Sequence, residues 1–307
     1  MIRRMHDYRD EIENGIIADD GAALTRIFDR AEKRLASVEK EFTRLALSTD
    51  GNIAQIPENI AEAQKIVDEF SNEIEAAIVR PGKDWAKGAM PRAFGAGRNL
   101  ARVNLDVDFI SPELVSSVFK NVSGAEKAVL EVGFKNSYRI MNVVGDDVGD
   151  WFRREMLDAV IDGIPVQGGA DSLTSRLIQS GRIKPLKIKT QSGRIITRTV
   201  RQRANTIARV EMARVVNQTH EVLATEALGD DAVYINSNPR DSRTTDICLR
   251  ASAQPAMTLR DWDKTEFGRP PRLNPFHMCR SVLIGGEASW FGDRTGATPK
   301  PKPMQGV

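Results

Sequence analysis

The chain has 307 residues, 41% hydrophobic and 28% charged, the composition of globular protein long enough for two domains. Its 44 Lys and Arg against 42 Asp and Glu leave a formal charge of +2, so no whole-chain polarity selects nucleic acid, membrane or acidic partners. No apolar run approaches the roughly 20 residues that cross a bilayer, the opening residues are not a signal peptide's apolar segment, and two cysteines, Cys248 and Cys279, exclude a disulfide framework and fit a reducing cytoplasm.

In the first 80 residues, Leu24, Phe28, Ala31, Leu35, Val38, Phe42 and Leu45 are spaced alternately by four and three, which predicts a helix from about Asp19 to Gly51. Ile56, Ile60, Ala63, Val67, Phe70, Ile74 and Ala77 repeat the pattern up to Arg80-Pro81-Gly82, where proline and glycine stop a helix. Two stripes joined by a short polar connection predict an antiparallel helical hairpin over 1–80. Its seams either pack within the chain or form a coiled-coil-like arm that docks on another subunit.

Residues 81–100 are rich in glycine and basic side chains and predict a hinge that opens a helical region reaching residue 164. Trp85 and Phe94 stand among Lys83, Lys87, Arg92 and Arg98, which fits either an aromatic-anchored loop or contact with nucleic acid by charge and stacking. Ser111-Pro112-Glu113 supplies an N-cap with proline at the first helical position. The next apolar series, from Val129 to Val160, predicts a long helix that Gly133, Gly145 and Gly149 break or kink. Gly163-Ile164-Pro165 closes it, and a short helix is expected from about Ser172 to Gly181.

Beyond Gly181, Leu186 to Thr190, the turn Gln191-Ser192-Gly193 and Arg194 to Val200 read as a β-hairpin. Lys187, Lys189, Arg194, Arg198, Arg201 and Arg203 make it basic, with no acidic residue between Gly181 and Arg203. Such a ribbon is either a charged edge that discourages aggregation or a surface for DNA phosphates. A helix is then predicted over 204–228, with Arg209, Glu211 and Arg214 interrupting its inner face. Strands are expected at Ala232-Val233-Tyr234-Ile235 and at Arg280 to Ile284, with turns between them and a flexible tail over 286–307. The fold class is therefore mainly α, α+β overall: a helical N-terminal half followed by a smaller α+β domain over 165–285, with a basic hairpin, a long helix and short strands.

One constellation gathers both cysteines and one of only three histidines: Asp241 to Cys248 and Pro270 to Ser281. Cys248, His277 and Cys279 are zinc-type donors, with Asp241 or Asp246 as a fourth. Because neither cysteine has a close Cys partner, the preferred reading is a staple in which His277 is hydrogen-bonded and the two thiols are buried or paired, and no cofactor is expected.

The run Arg203-Ala204-Asn205-Thr206-Ile207-Ala208-Arg209-Val210-Glu211, then Asp241-x-Arg243-Thr244 with Cys248, then proline-rich residues leading to His277-x-Cys279-Arg280-Ser281, resembles the Mu F-like head morphogenesis family in order and spacing. It departs from the family's common pattern in Val210, where Thr is frequent, in a one-residue shorter step from His277 to Cys279, and in lacking a second cysteine beside each of the two. The resemblance implies a virion protein of a tailed bacteriophage, present in few copies near the portal vertex and assembled in the host cytoplasm. It would assist head assembly and the packaging or ejection of DNA. The implied partners are the portal protein, scaffold or major capsid protein and double-stranded DNA, with no membrane. Arg209, Glu211, Asp241, Arg243, Cys248, His277, Cys279 and Arg280 occupy the motif positions. Physically they read as a structural network in which Arg209 and Arg243 bridge Glu211 and Asp241.

Catalysis is not expected, because nothing identifies an orienting third group or an oxyanion hole for a Cys279-His277 pair. No Gly-x-x-x-x-Gly-Lys-Ser/Thr sequence is present for a packaging ATPase. The alternative function is a DNA-binding module built on the basic hairpin and not tied to a phage head.

Overall fold

The computed structural model describes residues 2–48, 57–106, 110–161, 186–189, 195–198, 200–238, 244, 246–270 and 281–294. A first helical run comprises α1 (Ile2–Ile12), a π-helical turn (Glu13–Ile17) and α2 (Ala18–Ser48). A second comprises α3 (Pro57–Ile74), another π-helical turn (Glu75–Val79) and α4 (Arg80–Leu105). Next come α5 (Pro112–Lys120), α6 (Gly124–Ile161) and the hairpin of β1 (Leu186–Lys189) and β2 (Ile195–Arg198). The long α7 (Val200–Leu228) leads to β3 (Val233–Ser237), α8 (Asp246–Ser252), α9 (Leu259–Lys264), β4 (Val282–Gly286) and a 3-10 helix (Ala288–Arg294). β1 pairs with β2 and β3 with β4, both antiparallel, so the chain is mainly helical with small sheets, as its periodicities predict.

Four local expectations need correction. Helix begins at Ile2, not near Asp19. Residues 80–105 form a helix, not a hinge. Pro81 has no N–H for an i−4 carbonyl, and the preceding π-helical turn, in which Arg80 N–H bonds Glu75 O, widens the ladder there. Pro91 lies on the exposed side, where water reaches the carbonyl it leaves unbonded.

The glycines serve close packing. A Cβ on Gly82 would lie 2.4 Å from Met141 Sδ, and one on Gly97 2.6 Å from the carbonyl oxygen of Val216. The same reason keeps α6 unbroken: Cβ atoms on Gly133 and Gly145 would each meet a valine methyl, of Val215 and Val79, at 2.6 Å. Finally, residues 288–294 are helical and not tail, because Trp290 and Phe291 lie over Gly286, whose missing Cβ leaves them room. The short helix expected near Ser172 lies outside the described residues.

The chain folds as two compact units, each assembled from separated stretches of sequence. The second unit, Gly21–Lys87 and Asn136–Asn205, buries Leu24, Phe28 and Ala31 of the first predicted stripe and Phe70, Ile74 and Ala77 of the second. Arg34 of α2 pairs with Glu73 near the end of α3 at 2.8 Å, as an antiparallel return requires. Met141, Val144 and Val148 complete this core.

The first unit combines Met1–Asp20, Gly88–Lys135 and Thr206–Val307. Ser111 caps α5, accepting from Leu114 N, with Pro112 in the first turn. α6 starts with a capping box: Ser123 N donates to Glu126 Oε2 at 2.8 Å and Glu126 N to Ser123 Oγ at 3.2 Å. One core cluster joins Ala224, Tyr234, Met257, Trp262, Phe267 and Leu283; a second joins Ala101, Leu105, Phe119 and Leu223. Trp262 is fully buried and its indole N–H donates to Tyr234 O at 2.8 Å, so truncation to Ala would cost about 3–5 kcal/mol.

Candidate functional site

α7 carries the first part of the motif. It has neither glycine nor proline and ends at Gly229, whose φ of 85° suits a C′ position and whose N–H bonds Thr225 O at 2.8 Å. A surface helix buries one stripe. α7 instead buries Ala204, Ala208, Met212, Val215, Val216 and Leu223 together with the polar Glu211, Asn217, Thr219, His220 and Glu221. Inside a protein such groups need partners, and their pairing defines two clusters in the first unit.

The first cluster centres on Glu13, in the π-helical turn after α1. Arg209 donates through Nε to Glu13 Oε1 at 2.6 Å and through Nη2 to the same oxygen. Arg9, 1% exposed, places Nη1 at 3.6 Å from Glu13 Oε2. Two guanidiniums thus share one buried carboxylate. Of the expected network, in which Arg209 and Arg243 bridge Glu211 and Asp241, the described residues show Arg209 on Glu13. Glu211 instead accepts two bonds from Arg214 Nη1, at 2.6 and 2.9 Å. Asp241 and Arg243 lie outside the described residues.

The second cluster lies further along α7. Arg269 donates to Glu221 Oε2 at 3.2 Å and grips Asp263 with two bonds of 2.7 and 2.9 Å. Burial outweighs the nearby guanidinium and pushes the Glu221 carboxyl up to about 8, so it holds a proton at neutral pH. His220 is fully buried, its two ring nitrogens have no hydrogen-bond partner among the described residues, and burial pushes it down to about 4. The Tyr234 hydroxyl, 2.7 Å from Thr225 Oγ1, is pushed up to about 12 by burial. The polar groups here are therefore neutral except for the Arg269–Asp263 pair. Glu221 and Arg269 border a groove of about 500 Å³ whose other walls include Val129, Val132, Val222 and Leu259.

The basic ribbon forms. Lys187 pairs with Thr197 and Leu186 with Arg198 in its antiparallel register. Arg194 lies outside the described residues, while Arg201 falls in the first turn of α7. Arg203 donates to Asp147 Oδ2 at 2.7 Å and is mostly buried, so its charge is matched within the second unit. The aromatic and basic set of α4 is likewise engaged internally. Trp85 is buried, Arg92 bonds both oxygens of Asp20, and Arg98 pairs with Glu126 and donates to Phe119 O at 2.9 Å.

Of the zinc-type donors, Cys248 is buried in α8, where its carbonyl accepts from Asn238 Nδ2 at 2.9 Å; His277, Cys279 and Arg280 lie outside the described residues. Among the described residues no three His, Cys, Asp or Glu side chains gather around a common metal position. No described helix is long and apolar enough to cross a membrane.

No family model, curated protein or solved structure matches this chain.

Sequence reasoning does not single out Arg9, Glu13, His220, Glu221 or Arg269. The i,i+4 pair Arg9 and Glu13 beside Met5, Ile12 and Ile17 carries a helix signal before Asp19. Thr219-His220-Glu221 inside a glycine-free helical run, without a polar face of its own, is the mark of a buried polar layer.

Proposed function

We propose that the chain is a minor head protein of a tailed bacteriophage that binds the portal vertex in low copy number and assists head assembly and DNA packaging or ejection. The observation that carries the reading is the use made of the motif residue Arg209. It is bound to Glu13, 196 positions away, so the motif helix serves as an internal fastener within the first unit. That is the role expected of a residue indispensable to an assembly component without chemistry of its own. The resemblance in motif order over 165–285 supplies the identity of the assembly.

The test is co-expression of the chain with a tailed-bacteriophage portal protein from the same source, followed by affinity capture. A fragment ending near residue 164 is unsuitable, because the first unit needs both Met1–Asp20 and Thr206–Val307. Recovery of the portal ring with the wild-type chain supports the reading. Absence of portal, combined with duplex binding that falls steeply with salt, replaces it with a DNA-binding module. The β1–β2 ribbon with Lys187, Lys189 and Arg198 is the feature that favours that second reading.

A further inference from the structure

We propose that the groove between α6 and α7 binds an uncharged amphiphilic small molecule, a hydrocarbon chain ending in a hydroxyl or amide head. The groove holds about 500 Å³, within the roughly 300–1,000 Å³ of small-molecule sites, and lies wholly in the first unit. One wall is the α6 stripe Ala125, Ala128, Val129 and Val132, spaced i, i+3, i+4, i+7. The other repeats that spacing on α7 from Gln218 to Thr225. The apolar lining is surface more than core: Ala125 and Ala128 are exposed, Val132 is 44% exposed, and Val222 and Leu259 are half-buried. From Ala125 to Val132 the helix rises about 10 Å, so the groove suits an elongated apolar body.

Glu221, on the α7 wall, decides the head group. It is 2% exposed; its Oε2 accepts from Arg269 at 3.2 Å, and its Oε1 is buried without a hydrogen-bond partner. A buried polar atom left in that state is costly, and a ligand that completes its bonding gains the difference. A hydroxyl or primary amide both donates and accepts, so it satisfies the carboxyl whichever oxygen carries the proton. Gln218, half-buried one turn earlier on α7, adds a second amide to the same wall. Charged heads are served worse. Arg269, the one cation lining the groove among the described residues, spends its remaining bonds on Asp263, at 2.7 and 2.9 Å, and has none to spare for an anionic head. A cationic head would lie beside that same guanidinium, and either charge would lose its hydration among the apolar walls. The site stands whichever particle or complex the chain belongs to.

The experiment is a ligand-observed NMR titration of the full chain with 1-octanol and octanamide, compared with octanoate and octylamine as charged heads on the same tail. Saturable binding of the first two is expected, with the charged pair roughly tenfold weaker or more. Val132→Lys, at an exposed position outside the core, should weaken 1-octanol binding roughly tenfold. Glu221→Leu should weaken it by a similar factor, about that of one lost hydrogen bond, and Glu221→Gln, which keeps a donor and an acceptor, should retain it. Circular dichroism of each variant must match wild type; Val132→Lys keeps the test decisive if Glu221→Leu disturbs the fold. No saturation up to about 1 mM, equal affinity for a charged probe, or binding unchanged in Val132→Lys or in folded Glu221→Leu overturns the proposal.

Discussion

Replacing Glu221 by Gln should stabilise the protein, and by an amount that grows with pH. The Glu221 carboxyl moves from an ordinary value of 4.5 to about 8 on folding. A group whose folded value is raised keeps its proton in the fold, so its favourable contribution is whole below pH 4.5 and lost as pH climbs to about 8. At about 1.4 kcal/mol per unit, the cost in the wild type is about 3 kcal/mol at pH 7 and about 4 kcal/mol at pH 8, where the folded carboxyl is half ionised. Gln keeps the shape and the acceptor for Arg269 but does not ionise.

His220 works in the opposite sense. It moves from 6.5 to about 4, so its contribution is whole above pH 6.5 and falls away toward pH 4, by about 3 kcal/mol in all. In the wild type the two slopes cancel between pH 4.5 and 6.5, and stability then falls by about 1 kcal/mol between pH 6.5 and 8. Urea unfolding of wild type and Glu221→Gln at pH 4.5, 6.5 and 8 reads this directly. The two proteins should coincide at pH 4.5, and the variant should gain stability up to pH 6.5 as the His220 slope is unmasked. A constant gap between them at all three values would refute the reasoning.

Glu13→Gln should destabilise by about 3–5 kcal/mol, because Arg9 and Arg209 would share a buried site with no carboxylate; a loss below about 1 kcal/mol in urea unfolding would contradict it. Gly97→Ala should cost about 1–3 kcal/mol through its clash with Val216 O and Thr219 Cβ. Gly95→Ala, in the same helix with no described atom within 4 Å, should add about 0.5–1 kcal/mol, so melting temperatures that shift alike would refute the packing argument. If the β1–β2 ribbon touches DNA, replacing Lys187, Lys189, Arg194 and Arg198 by Gln should lower duplex affinity at low salt and flatten its salt dependence. Unchanged affinity in a filter-binding titration would remove the ribbon from consideration.

What the sequence made legible were features written in neighbouring residues. The α5 start needed only Ser111 and Pro112, and the ribbon only alternation around Gln191-Ser192-Gly193. α7 was legible as a glycine-free run. Glycine and proline misled wherever their purpose was distant: Gly82, Gly97, Gly133 and Gly145 read as breakers, yet each makes room for a side chain or carbonyl from another helix. Arg209 was legible as a charged residue in need of a partner. Glu13 was not recognisable as that partner, because nothing local links positions 196 apart. The buried Glu221 and His220 were hidden for a related reason, since composition cannot tell a charged face from a charged interior.

The discontinuous make-up of the first unit governs when it can form. Glu13 is made before Arg209, its partner, by 196 residues. At roughly 5–20 residues per second, Glu13 waits about 10–40 s for its partner. Gly21–Lys87 and Asn136–Asn205 are complete before Thr206 is made. The second unit can therefore close first, while α1 stays available to other partners throughout that interval.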